Sequence, residues 1–328
     1  MGNQSPTRLH VVTGKGGTGK TTAAAALALH LASGGQRVLL IEVEGRQGIA
    51  QLFDVPQLPY EERKVALARG GGDVYALAID PEDALYEYLD LYYRLGRAGK
   101  ALRKVGVVEF ATTVAPGVRD VLLTGKAYEA TRRRDGRQYV YDAVVVDAPP
   151  TGRIGRFLNV NAEVAGLAKM GPIRRQADSI MGLLRSPRTA VHLVTLLEEM
   201  PVQETADAVD ELRRLDIPVG AVVVNQTRHP ALSHEQLQDA QQRRLDGGEV
   251  AAGLKAAGLS GHSGLLDALL REASAHAERV ELEAAQRALV QALEQPVVEL
   301  PWLVDGVDLA GLYELSDRLG QAGTEVPW

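Results

Sequence analysis

TGKGGTGKTT, Thr13–Thr22, decides the fold of this chain. It satisfies G-x-x-x-x-G-K-S/T through Gly14, Gly19, Lys20 and Thr21, follows the short apolar run Leu9–Val12, and opens an alanine-rich helical pattern. Strand, glycine loop and helix in that order make a phosphate-binding loop. Gly14, Gly16, Gly17 and Gly19 let the backbone take positive φ and bring N–H groups close to phosphate oxygens, while the following helix points its N-terminal dipole at the same charge. The cradle so predicted runs from Gly14 through Thr18 to Thr22. Lys20 brings a point charge to the β- and γ-phosphates, and the Thr21 hydroxyl is placed to ligate Mg²⁺.

With 328 residues and 45% hydrophobic content the chain can bury a large α/β core. It has no cysteine, which removes disulfides, thiol catalysis and thiolate metal sites; no zinc is expected, and a reducing cytosol suits it. The net charge of −6 argues against general nucleic-acid binding. No signal peptide opens it, and its longest apolar run, Ala23–Leu29, is too short to span a bilayer. A cytoplasmic protein is expected.

Short Val/Ile/Leu-rich runs predict strands near Leu9–Thr13, Arg37–Val43, Val74–Ile79, Tyr139–Val146, Thr189–Leu196, Val219–Val224 and Val297–Leu300, alternating with helical patterns such as Lys20–Ser33. That alternation predicts an α/β fold: a mostly parallel twisted sheet with helices on both faces, in one domain over 1–328. Between Pro81 and Gly136 the strand signal gives way to helical spacing at Leu85, Tyr88, Leu89, Tyr92 and Leu95. A helical subdomain from about 81–136 and 160–187 is read here, each part lying between strands expected to be sheet neighbours. The tyrosines at 86, 88, 92 and 93 exceed what one helical face buries, so they serve either core packing or a ligand or partner groove. Gln226–Glu283 reads as polar, exposed helices, and the tail as an amphipathic helix with Leu309, Leu312, Tyr313 and Leu319 on one side.

YDAVVVDAPPTG, Tyr141–Gly152, ends an apolar strand in Asp147. Its carboxylate then sits at the carboxyl edge of the sheet beside the glycine loop, placed to hold a Mg²⁺-bound water, and the Ala148–Gly152 turn is placed to sense the γ-phosphate. After the second strand, Glu44 and Gln47 lie within reach of a water attacking that phosphate, while Glu42 is assigned to the strand. Asn225 closes the VVVN strand, where an amide suits the edge of adenine or simply ends a strand in a turn.

Taken together, these segments resemble the arsenite-pump and tail-anchored-protein-targeting family of deviant P-loop ATPases, over most of the chain. Lys15, directly after the first glycine, is similar to the lysine that in those dimers reaches the partner's nucleotide. Tyr141–Leu158 resembles the second switch, with Arg153 where a histidine is usual; Asn225 falls on the adenine-contacting asparagine, Leu300–Pro301 on the loop closing over the base, and Ala115-Pro116-Gly117 on the helical subdomain.

The resemblance implies a P-loop NTPase binding ATP/ADP and Mg²⁺, with Asp147 organising the metal's water and Glu44 orienting the nucleophile. Glu44-Gly45-Arg46-Gln47 stands where the first switch usually reads D-P-A-H, and the extra methylene moves the carboxylate by about 1.5 Å, which bears on rate. The variant is similar to an actinobacterial branch with two paralogous ATPases encoded together, so the partner is a second copy or a paralogue. The cysteines that hold zinc or arsenite are absent and four methionines make no flexible groove, so the cargo is left as an unknown protein or membrane protein. Two other classes stay open: a partition- or septum-site-type positioning ATPase, for which the tail is too acidic and the basic run Arg94–Lys104 is the one support, and a nucleotide-gated scaffold with little hydrolysis.

Overall fold

Leu9–Val12 extends into β1 (Leu9–Gly14), a strand buried along its whole length. The computed structural model describes residues 7–93, 116–167, 172–259, 263–322 and 326–328. After β1 come α1 (Lys20–Ala32), β2 (Arg37–Glu42), α2 (Gly48–Leu52), β3 (Arg63–Leu67), β4 (Asp73–Ala78) and α3 (Pro81–Tyr93). Next, α4 (Pro116–Arg132) leads through the two-residue ribbons β5 (Arg134–Asp135) and β6 (Gln138–Tyr139) to β7 (Ala143–Asp147). α5 (Thr151–Leu167), α6 (Pro172–Leu184), β8 (Thr189–Thr195), α7 (Glu199–Arg214) and β9 (Val219–Thr227) follow. The chain continues through α8 (His234–Gln241), α9 (Gly247–Ala256), α10 (Ser263–Gln291), β10 (Val297–Pro301) and α11 (Leu309–Gly320). Arg94–Lys104, Leu95 and Ala115, singled out above, lie outside the described residues.

The main sheet runs β10-β9-β8-β1-β7-β2-β4-β3. All pairings are parallel except β3 on β4. Its strands read as unbroken apolar runs because alternate residues enter two cores: Val12, Val38, Leu40 and Val145 pack toward α1, and Leu9, Val11, Leu39, Ile41, Val144 and Val146 pack on the opposite face. β1 lies at the centre, between β7 and β8. Parallel alignment therefore brings the carboxyl ends of β1, β2, β7 and β8 to one edge, where open α/β sheets bind ligands.

Several expectations need correction. The stretch Tyr139–Val146 is not one strand: Tyr139 pairs with Arg134 in the small ribbon, and the sheet strand begins at Ala143. β3 went unread because a charged, largely exposed edge strand, RKVAL, carries no buried apolar run. Nor do the helical stretches join neighbouring strands. β2 lies between β4 and β7, and β1 between β7 and β8, because β1 takes the central place that a linear alternation cannot show. In α11 the buried side is Leu312, Leu315 and Leu319 against α1, while Leu309, in the first turn after the Asp308 cap, is 39% exposed. Among the described residues no helix is long and apolar enough to cross a membrane.

Candidate functional site

The glycine loop leaves β1 at Gly14, where there is no room for a side chain: a Cβ would lie 2.2 Å from the Val194 carbonyl oxygen of β8. Gly17 and Gly19 take φ of 90° and 87°, the left-handed region that glycine enters without strain. A Cβ on Gly19 would also meet Asn225 Nδ2 at 2.3 Å, whereas Gly16 and Gly17 face open space. Thr18, buried, closes the turn by donating its hydroxyl to the Lys15 carbonyl at 2.9 Å. Lys20 is buried and Thr22 half-buried in the first turn of α1.

Across from that turn, Thr21 Oγ1 donates to Asp147 Oδ2 at 2.7 Å. Asp147 Oδ1 is buried with no hydrogen-bond partner. Burial pushes the Asp147 carboxyl up to about 6, with Glu42 and Glu44 adding to the rise while the Thr21 hydrogen bond and the Lys20 charge oppose it. A buried carboxylate oxygen without a donor, next to a hydroxyl whose proton is already committed, fits a hydrated Mg²⁺ held through Thr21 Oγ1 and an Asp147-bound water. Thr13 donates to the Pro149 carbonyl at 2.7 Å, tying the start of the phosphate loop to the Pro-Pro turn.

Glu42 is the residue that sequence reasoning undervalued. It pairs in register with Asp147, is 2% exposed, and accepts from the backbone N–H groups of Gln47 (2.5 Å) and Ile49 (3.1 Å), thereby capping α2. A lone carboxylate in the apolar run RVLLIE was the available signal. Gln47 is a correction: its amide donates to the Leu58 carbonyl and accepts from the Leu58 N–H, at 3.1 and 2.7 Å, so it braces the loop instead of facing an attacking water. Glu44 stands at the sheet edge, 22% exposed, with Arg46 at 3.7 Å and close enough to act on Asp147. Glu42→Ala is expected to leave two N–H groups unpaired and cost about 2–4 kcal/mol, read by chemical denaturation. Amide exchange at Gln47 and Ile49 should accelerate with it; unchanged exchange would return Glu42 to a plain strand role.

The anion-transporting ATPase family model matches residues 7–186, the part holding the loop, Glu42, Glu44 and Asp147. The chain belongs to the anion-transporting ATPase family. It is 55% identical over 320 residues to the ATPase BagA of Mycobacterium tuberculosis, covering 97% of this chain and 94% of that one. It is 27% identical to the arsenical pump-driving ATPase of Acidiphilium multivorum over 65% of this chain and 38% of the pump ATPase. To the ATPase GET3 of Rhodotorula glutinis it is 25% identical, over 67% and 70% of the two chains. Membership makes the chain an ATPase.

In this ATPase, Asn225 at the end of β9 is buried against the glycine loop. Its Nδ2 donates to the Thr18 carbonyl at 2.9 Å, and its Oδ1 accepts from the Gln226 N–H at 2.9 Å. One amide hydrogen and one lone pair stay available. Pro301 closes β10 beside it, where the Trp302 N–H donates to the Thr227 carbonyl at 2.9 Å and the Arg228 guanidinium lies 4.1 Å over the Trp302 ring. Two adjacent residues of α4 reach the loop after β2 and the first turn of α5, on either side of the glycine loop. Arg119 donates to the Val43 carbonyl at 3.1 Å, and Asp120, whose carboxyl burial pushes up, stands 3.8 Å from Arg153 on α5. Lys15 pairs with Glu204 of α7 at 2.8 Å, a partner not foreseen from sequence.

Proposed function

We propose that the chain is a cytoplasmic ATPase that binds Mg·ATP across two subunits, closing on binding and reopening on hydrolysis. The observation that carries this reading is the Thr21–Asp147 pair, with its buried unpartnered oxygen, directly beside the glycine loop. Gly14, Gly16, Gly17, Thr18, Gly19 and Thr22 would hold the phosphates with Lys20, and Thr21 directly and Asp147 through a water would hold Mg²⁺. The metal, when bound, supplies charge compensation for the β- and γ-phosphate oxygens. Glu44 orients the attacking water by position alone, Lys15 acts on the partner's nucleotide, and Asn225 with Pro301 borders the base.

The subdomain read at about 81–136 and 160–187, whose described helices are α3, α4, the end of α5 and α6, takes a protein or membrane-protein cargo. Arg119 and Asp120 support its coupling to the site, because one turn of α4 touches both the loop after β2 and the start of α5, the two segments expected to respond to the γ-phosphate. The partner is a second copy or a paralogue. A scaffold with little hydrolysis is the second reading, favoured by the Glu44–Arg46 pair in the first switch.

Phosphate release from ATP separates the two. Turnover that falls about 10²-fold in Glu44→Gln while nucleotide stays bound is expected for the ATPase; no release above background in the wild type would leave only the scaffold, and unchanged release in the variant would remove Glu44 from the mechanism.

A further inference from the structure

Glu204 divides its carboxylate between two parts of the site. Oε1 lies 2.8 Å from Lys15 Nζ, and Oε2 accepts from Thr151 Oγ1 at 2.9 Å. Lys15 belongs to the glycine loop; Thr151 is buried and is the first residue of α5, directly after the Ala148-Pro149-Pro150 turn. That turn is bracketed, since Pro149 accepts from Thr13 on one side and Thr151 donates to Glu204 on the other. The same two helices meet again one turn along α5: a Cβ on Gly155 would lie 2.0 Å from Glu211 Oε1, so α5 and α7 approach closely at this face. The start of α5 therefore cannot shift without moving Thr151 against Glu204, and Glu204 against Lys15.

We propose that Glu204 is a latch in cis on Lys15, which holds the ammonium within its own subunit until movement of Thr151 with the switch turn releases it toward the partner's nucleotide. The inference rests on the reading of Lys15 as acting in trans. The Lys15 ammonium cannot keep a 2.8 Å contact to Glu204 of its own subunit and also extend across to phosphates held by a partner. With Glu204 engaged, the Lys15 charge is paired within its own subunit. When the γ-phosphate draws the Pro-Pro turn, Thr151 moves with it, and Glu204, no longer held in orientation by that hydroxyl, turns from Lys15 as the partner's phosphates become available. The ion pair is about one-third exposed at both ends, so each latch is worth a small factor, counted twice in a symmetric dimer.

The test compares wild type, Glu204→Gln, Lys15→Ala and the double variant as full-length chains, by sedimentation with Mg²⁺ and a non-hydrolysable ATP analogue. Glu204→Gln keeps the shape and the Thr151 bond. It is expected to dimerise at about tenfold lower protein concentration, from about threefold per latch. Lys15→Ala should dimerise poorly, and Glu204→Gln should change nothing on that background. If Lys15→Ala is impaired but Glu204→Gln does not tighten the dimer, or tightens it equally without Lys15, the latch is wrong.

A second readout needs no dimer. Acetylation of Lys15 by an N-hydroxysuccinimide ester in the nucleotide-free protein, followed by mass spectrometry, should run about threefold faster in Glu204→Gln. An unchanged rate overturns the latch. A raised rate combined with wild-type dimerisation of Lys15→Ala would instead keep the cis pair and overturn the trans reading.

Discussion

Lys20→Ala is expected to slow phosphate release by about 10³-fold or more and to weaken nucleotide binding with it. Lys20 is 8% exposed in the first turn of α1, so its charge acts through protein, not bulk water. The positions around it are acidic: Glu42, Glu44 and Asp147 converge on the same edge, and at Asp147 the Thr21 hydrogen bond and the Lys20 charge oppose the rise that burial and the two glutamates cause. Lys15, the other lysine of the loop, is committed to Glu204. Removing Lys20 therefore leaves a triphosphate facing carboxylates with no fixed cation among the loop's own side chains. A phosphate-release assay with saturating ATP, alongside binding of a fluorescent nucleotide, measures both effects. Release near the wild-type rate would end the assignment of this loop as the phosphate site.

Asp147→Asn is expected to separate function from stability in opposite directions. Turnover should fall by about 10²-fold and its Mg²⁺ dependence should weaken, because a neutral amide holds a metal-bound water less firmly. The metal-free protein should nevertheless gain stability at pH 7.5. In the folded state the Asp147 carboxyl titrates at about 6, against 3.8 as its ordinary value, so between those pH values the folded chain holds a proton that the unfolded chain has lost. Stability then decreases as pH rises through this window and remains lower above it, by about 3 kcal/mol for the difference of roughly 2.2 units. Asparagine carries no charge to bury, so the variant should be more stable than wild type by about 1–3 kcal/mol near neutrality, with a flatter profile from pH 4 to 7. Thermal unfolding in chelator across that range is the measurement. A variant less stable at pH 7.5, or one with the wild-type pH slope, would mean that Asp147 is not held as a buried, costly anion.

How far the site could be read in advance follows from what each residue's neighbours are. Gly14–Thr22 and Asp147 were legible as candidates because each is a local pattern: a glycine spacing characteristic of phosphate loops, and an acid closing an apolar strand. Gln47 misled because a loop residue five positions past the end of its strand can face either way. Leu58, eleven residues on, takes both ends of its amide. Glu42 sits one strand over from Asp147, and its importance appears only once β2 and β7 are seen to pair in register. Glu204 lies 189 positions from Lys15 in the chain, and nothing in its surroundings, QETADAV, marks it.

The glycine loop, the alternation of buried strands with helices and the acid ending β7 follow from local sequence, since backbone conformation, side-chain period and burial are set within a few residues. The central place of β1, the polar edge strand β3, the cap Glu42 gives to α2 and the Lys15–Glu204–Thr151 arrangement were decided only on folding. Each is a contact between segments far apart in the chain, and its energy exists only where the sheet order has brought them together. The phosphate loop was thus written in the chain as a motif, and the partner of its first lysine was settled by where α7 comes to lie.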